Sequence, residues 1–133
     1  MKINTDNLKG KCAFISGATG GIGKAIAVAL AEEGCNLFLT STTNSSLQKT
    51  VDSLRKYDVQ VEACSGDLSD EKSIYSIIRS AKKAFNGIDI LINSAGIFPN
   101  GDLITIGDKA YSDAMNINFK SAFKINPRRL LVI

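Results

Sequence analysis

The sequence predicts a doubly wound α/β fold built on a parallel sheet, and three observations carry that prediction. Short apolar runs suited to buried strands alternate with segments of helical periodicity. Each run is closed by glycine or by a cluster of small polar residues. The most glycine-rich of these closures, Ser16 to Gly23, falls between the first run and the first helical segment. Right-handed crossovers then favour the strand order 3-2-1-4, with helices on both faces of the sheet.

Cys12 to Ile15 reads as a first strand shielded on both faces, because it is uninterruptedly apolar. From Ile22 the apolar residues Ile26, Ala29 and Leu30 recur at helical spacing until Gly34, which suits a helix C-terminus. Asn36 to Thr40 repeats the strand signal. The polar stretch Ser41 to Ser46 then precedes Leu47, Val51 and Leu54 on one helical face. Gln60 to Cys64 gives a third strand. Ser69, Asp70 and Glu71 offer a cap and favourable charge at the start of a helix carrying Ile74, Ile77, Ile78, Ala81 and Phe85 and ending near Gly87. Ile88 to Ile92 forms the fourth strand and Asn93 to Gly107 a loop. Asp108 to about Ile125 is a helix that Pro127 stops. The apolar run at the C-terminus suits a short fifth strand at 129–133, beside the fourth; a frayed tail is the other reading.

Composition sets the class. With 133 residues, 44% of them hydrophobic, 22% charged and only two prolines, residues 1–133 fit one domain and exclude disordered and collagen-like classes. A net charge of +3, with adjacent basic residues only in pairs such as Lys82-Lys83 and Arg128-Arg129, gives no nucleic-acid footprint. Neither a signal-peptide run nor a stretch of ~18 apolar residues occurs, so no membrane partner and a cytoplasmic location are expected. Cys12, Cys35 and Cys64 are widely spaced, and without any His they do not make a zinc site; buried, reduced thiols are expected and no metal. The absence of His leaves Tyr, Lys, Asp and Glu for acid–base chemistry.

Gly17, Ala18, Thr19, Gly20, Gly21, Ile22 and Gly23 stand where a strand turns into a helix. Glycines permit a tight turn and close approach of a phosphate to the backbone, and the helix start offers unpaired N–H groups and the positive end of its dipole. A glycine-rich turn at this place also serves packing alone. The glycines fit more than one dinucleotide spacing, so the loop does not select a subclass.

Two further stretches do. Asp67-Leu68 after the third strand and Asn93-Ser94-Ala95-Gly96 after the fourth, together with Ser16 to Gly23, resemble three ordered signatures of the short-chain dehydrogenase/reductase family, whose fold is of the Rossmann type. The similarity runs from about Leu8 to Phe123 and is closest in wording to bacterial 3-oxoacyl-(acyl-carrier-protein) reductases. That resemblance implies that Gly17 to Gly23 hold the pyrophosphate of a dinucleotide, that Asp67 and Leu68 meet its adenine, and that Asn93, Ser94 and Ala95 line the ribose and nicotinamide side. Asp67 also reads as a loop or capping acid, and Asn93 as a tie between loops. Ser94 departs from the family's usual Asn.

The end of the second strand speaks to cofactor choice. An acidic residue there would bind a free ribose 2′-hydroxyl and repel a 2′-phosphate. Thr40, Ser41, Thr42 and Thr43 carry hydroxyls and no charge, which favours NADP(H) over NAD(H), with Ser41 and Thr42 as cofactor contacts. Gly20 replaces the basic residue many NADP-dependent relatives carry in the glycine loop. A solvated polar loop is the other reading of this stretch.

In the resembled family a serine orients the carbonyl, a tyrosine donates the proton and a lysine four residues later assists it. An asparagine on the preceding helix holds a relay water; Asn118 in Asn116-Ile117-Asn118-Phe119 matches that motif, or is a solvated helix residue. No tyrosine has the required lysine: Tyr57, Tyr75 and Tyr111 are followed at that offset by Val61, Arg79 and Met115. The chain is therefore expected to be a C-terminally truncated member of the family. Its family activity is NADPH-dependent reduction of a 3-oxoacyl thioester in fatty acid synthesis, and an acyl substrate is expected only if the missing half is supplied. The alternative is a non-enzymatic dinucleotide-binding product, prone to associate with itself or with a full-length relative.

Overall fold

The computed structural model describes residues 8–102, 104–126 and 130. Its sheet comprises β1 (Cys12–Ser16), β2 (Asn36–Ser41), β3 (Val61–Ser65) and β4 (Ile90–Asn93), all parallel and ordered β3-β2-β1-β4. The helices are α1 (Gly21–Glu32), α2 (Asn44–Leu54), α3 (Glu71–Ala84), α4 (Asp108–Met115) and α5 (Ser121–Lys124), with a π-helical segment (Asn116–Lys120) joining the last two. The doubly wound order anticipated from the alternation of elements is the order found.

β1 is buried along its whole length, and its alternate side chains feed two separate cores. Cys12 and Phe14 point to the face covered by α3, where Phe38, Ile74, Ile77, Ile78 and Ile125 pack. Ala13 and Ile15 point to the opposite face, with Ala27 and Ala31 of α1 and Leu47 and Leu54 of α2. Period-two alternation in a strand covered on both sides thus partitions one apolar run between two helix layers. Phe14 and Phe38, in register on neighbouring strands, stack at 5.4 Å between ring centroids. The thiol of Cys12 is pushed up to about 12 by burial, with Cys35 and Asp89 adding to the shift, so it stays protonated and packs as a small hydrophobe.

The chain runs from β1 outward to β3 and then returns to place β4 on the other side of β1. A crevice opens beyond the carboxyl ends of β1 and β4 at that reversal, where ligands of open α/β sheets bind.

The structure differs from the sequence reading in places. Ser41 belongs to β2 rather than to a loop, because its carbonyl accepts the Gly66 N–H at 2.9 Å and extends the ladder to β3. α2 starts at Asn44, ahead of the first apolar position of its buried face. The single helix expected over 108–125 is interrupted by the π segment. Two asparagines weaken its helical preference there, the Ser121 hydroxyl donates to the Ile117 carbonyl at 2.5 Å, and Asn118 bonds outside the helix. Tyr111 of α4 is 62% exposed. The fifth strand anticipated at 129–133 lies outside the described residues except for Leu130, whose N–H donates to the Asn126 carbonyl as in a helical turn and whose side chain joins the α3-side core. Among the described residues no helix is long and apolar enough to cross a membrane.

α5 is tied to α3 where Lys124 Nζ donates to Glu71 Oε1, and within α3 the Tyr75 hydroxyl donates to the same oxygen at 3.2 Å. These contacts, Lys124 first, hold the Glu71 carboxyl below its ordinary value of 4.5. A lowered carboxylate pKa stabilises the fold above the unfolded value and ceases to do so as pH falls through the folded value. Thermal melts of the chain and of Glu71→Gln should therefore differ most near neutrality and converge as pH falls below 4.5 and through the folded carboxyl's lower value; a constant difference would exclude the ion pair as its cause. Phe14→Ala should cost about 3–5 kcal/mol in denaturant unfolding, since it empties the centre of the sheet.

Candidate functional site

The glycine-rich loop between β1 and α1 contains glycines of two kinds. Gly17 has φ +66°, and a Cβ there would lie 2.7 Å from the Ala95 nitrogen. A Cβ on Gly23 would lie 2.3 Å from the Gly17 carbonyl oxygen. Both are required by close backbone packing, which brings β1, α1 and the loop after β4 together. Gly20 and Gly21 are different. Neither has a positive φ; a Cβ on Gly20 would make only an ordinary contact at 3.4 Å, and one on Gly21 would meet nothing within 4 Å. The protein itself does not need their smallness, and the space above them is open. Gly20 caps α1 in an extended conformation with no side-chain bond, so the first turn of the helix keeps its N–H groups and dipole available to an anion. The loop fits a pyrophosphate on both counts.

Next to this loop lies a cavity of about 260 Å³, lined by Gly17, Thr19, Gly20, Ser41, Thr42, Asp67, Leu68, Ser94, Ala95, Gly96, Ile97 and Ile117. Its walls are cross-linked. The Ala18 N–H donates to the Thr40 carbonyl at 3.1 Å, the Ala95 N–H to Ser16 Oγ at 3.2 Å, and the hydroxyls of Thr19 and Ser41 share a hydrogen bond of 2.7 Å. Asp67 Oδ1 accepts from the backbone N–H and the hydroxyl of Ser69, at 2.8 and 2.7 Å. The Ser69 backbone bond, then its hydroxyl, hold the Asp67 carboxyl below the usual carboxylate range. The turn-acid reading of Asp67 therefore describes one of its oxygens, while the residue also lines the cavity.

Of the residues singled out from the sequence, the cavity gathers Gly17, Thr19, Gly20, Ser41, Thr42, Asp67, Leu68, Ser94 and Ala95. It does not gather Ala18, fully buried beneath the loop, nor Gly21, Ile22, Gly23 and Asn93. Ile22 is 73% exposed on the first turn of α1. Asn118 stands behind the wall: its Oδ1 accepts the Ile97 N–H and its Nδ2 donates to the Ile97 carbonyl, both at 2.8 Å. Its carboxamide thus holds the loop after β4. Gly96, Ile97 and Ile117 complete the lining without having been singled out as site residues. Gly96 was legible as the last residue of the Asn93 motif, whereas Ile97 and Ile117 are apolar residues with no signal of their own. None of the tyrosines lines the cavity: the Tyr57 hydroxyl donates to Glu32 at 3.0 Å, Tyr75 bonds Glu71, and Tyr111 faces outward.

Substitution by alanine separates the two kinds of glycine. Gly23→Ala should destabilise the chain by several kcal/mol or prevent folding, because the methyl group meets backbone. Gly21→Ala should change stability by no more than about 0.5 kcal/mol. Equal effects in denaturant melts would refute the distinction. Asn118→Ala should raise amide exchange at Ile97 by at least about tenfold while leaving β1 amides unchanged, since it removes both bonds that hold that peptide.

The family described as short chain dehydrogenase matches residues 11–128 of this chain. The chain is 34% identical over 92% of its length to 2-dehydro-3-deoxy-D-gluconate 5-dehydrogenase of Dickeya dadantii, and 35% identical over 90% of its length to a 3-oxoacyl-[acyl-carrier-protein] reductase of Vibrio cholerae. In each case it spans 48% of the relative, about half. Among solved structures, L-sorbose reductase from Gluconobacter frateurii complexed with NADPH and L-sorbose superposes with a TM-score of 0.89 at 28% identity, covering 96% of this chain and 48% of that one. Sequence motifs, sheet order and these likenesses agree: the chain belongs to the short-chain dehydrogenase family.

Proposed function

We propose that this chain is a dinucleotide-binding unit of a short-chain dehydrogenase and that it takes NADP(H) in preference to NAD(H). The observation that carries the preference is the end of β2. Thr19, Ser41 and Thr42 present neutral hydroxyls to the cavity, and among the described residues Asp67 is the only carboxylate in its lining. Hydroxyls donate to a phosphate, and no acid stands where one would compete for a free ribose hydroxyl. The L-sorbose reductase complexed with NADPH supports the same reading through its likeness in fold.

In this reading Gly20, Gly21 and the first turn of α1 receive the pyrophosphate, Asp67 and Leu68 border the adenine, and Ser94 to Ile97 form the wall on the ribose and nicotinamide side. Asn118 is a positioning residue that keeps that wall in place through Ile97. The bound dinucleotide supplies hydride; the protein's part is to hold and orient it. The reaction class is reduction of a carbonyl to an alcohol, with the 3-oxoacyl thioester as the substrate we propose on the likeness to the Vibrio cholerae enzyme. The likeness to a sugar-acid dehydrogenase makes a polyol-type carbonyl the competing substrate.

A second reading, binding without turnover, is favoured for residues 1–133 by a specific observation. No tyrosine among them has a lysine four residues on, and none borders the cavity, so the site holds no phenol to donate a proton to a carbonyl oxygen. Fluorescence titration should show NADPH binding at least about tenfold tighter than NADH. Thr42→Asp should abolish that difference. Equal affinities for the two cofactors would overturn the preference. Oxidation of NADPH by the purified chain with a 3-oxoacyl thioester, above that of Gly21→Asp, would overturn the second reading.

A further inference from the structure

We propose that the floor of the crevice binds one internal water molecule between the side-chain hydroxyls of Thr40 in β2 and Ser16 in β1. The site is separate from the dinucleotide cavity and does not depend on what fills that cavity.

Two polar side chains stand here in an otherwise apolar part of the sheet. Ser16 and Thr40 are partners in the parallel register of β1 and β2, as Phe14 and Phe38 are two residues earlier. Side chains two apart in a strand share a face, so both hydroxyls belong to the α3 side, at the carboxyl end of the core that holds Phe14 and Phe38. Ser16 is 2% exposed and Thr40 is 0% exposed. Neither lines the dinucleotide cavity, so neither is presented to a ligand in it.

Their hydrogen bonding is incomplete. Thr40 Oγ1 is buried and has no hydrogen-bond partner among the described residues. Ser16 Oγ accepts the Ala95 N–H at 3.2 Å, and among the described residues nothing accepts its own proton. A hydroxyl donates one proton and accepts two, so both groups keep unused capacity. The strands that carry them run roughly 4.8 Å apart, which is too wide for a direct O–H···O bond between side chains held parallel. Two oxygens that each bond a shared water at ~2.8 Å stand up to ~5.6 Å apart, which matches that spacing. A water takes the Ser16 proton and meets Thr40 as donor or acceptor, and two polar partners reach the lower limit for an internal water. Cys64 is the other in-register neighbour of Thr40. Its thiol faces the Ser65 carbonyl at 3.7 Å and is only partly buried, which leaves Ser16 as the second partner.

The position gives this water a task. The Thr40 carbonyl accepts the Ala18 N–H of the glycine loop, and Ser16 Oγ accepts the Ala95 N–H of the loop after β4. The bridge therefore joins the two residues that anchor these two loops. Thr40 is a positioning residue, acting through the water and Ser16 without touching a ligand.

The sign of one substitution tests the site. Thr40→Val nearly preserves the shape of the side chain and removes the hydroxyl. For an orphaned hydroxyl this change leaves the denaturant midpoint where it was or raises it, whereas for a water-bound one it lowers the midpoint. A lower midpoint is expected, with amide exchange at Ala95 about threefold or more faster. In a Ser16→Ala background the same change should lower the midpoint by less, because the bridge is already cut. A crystal structure of the intact chain should show a solvent oxygen about 2.5–3.0 Å from both hydroxyls. An unchanged or raised midpoint for Thr40→Val, equal drops in the two backgrounds, or a crystal structure in which no solvent atom joins the two hydroxyls would each overturn the proposal. If Ser16→Ala does not fold, the Thr40→Val midpoint and the crystal structure still decide.

Discussion

α1 and the glycine loop approach each other so closely that a single methyl group has no room between them, and much of the site's geometry follows from that approach. The backbone of Gly23 rests on the carbonyl of Gly17, and the same Gly17 leaves no space beneath the peptide of Ala95. One residue therefore sets the entry of α1, the exit of β1 and the path of the chain after β4. The bonds from Ala18 to Thr40 and from Ala95 to Ser16 then fasten that junction to the ends of β2 and β1. With the backbone fixed at this level, the cavity walls are set by short connections, and the side chains that line it have little freedom in where they stand.

The fold was readable because its signals are periodic and local. β1 announces itself as an unbroken apolar run, and α3 as four isoleucine and alanine positions on one face behind the Asp70 cap, whose side chain accepts from the Ser73 N–H. Where the reading failed, a tertiary contact decided. Ser41 has the composition of a loop residue, yet the Gly66 N–H draws it into the sheet. The stretch around Asn118 has the periodicity of a continuous helix, yet a bond to a peptide 21 residues away accompanies a wider turn. Neither partner is visible from neighbouring positions in the chain.

The candidate site divides along the same line. Gly17 is legible from its place between a strand and a helix, whereas Asp67 and Ala95 are legible through the resemblance of their motifs to family signatures. Ile97 and Ile117 are not, since an apolar residue at a cavity edge has the same letter as one in the core. The glycine motif itself was legible only as a unit. That two of its glycines answer to packing and two leave open space became apparent only when the neighbours of each position were known.

The grip of Asn118 on Ile97 has a mechanical consequence. It clips a wall of the cavity to the π segment; α5, next in the chain, is latched to α3 through Lys124 and Glu71. The glycine side of the cavity is rooted in the sheet, whereas the Ile97 side hangs from a chain of helices. The two sides of the cavity are thus braced through different parts of the fold, and a substitution at Asn118 reaches the cleft through Ile97.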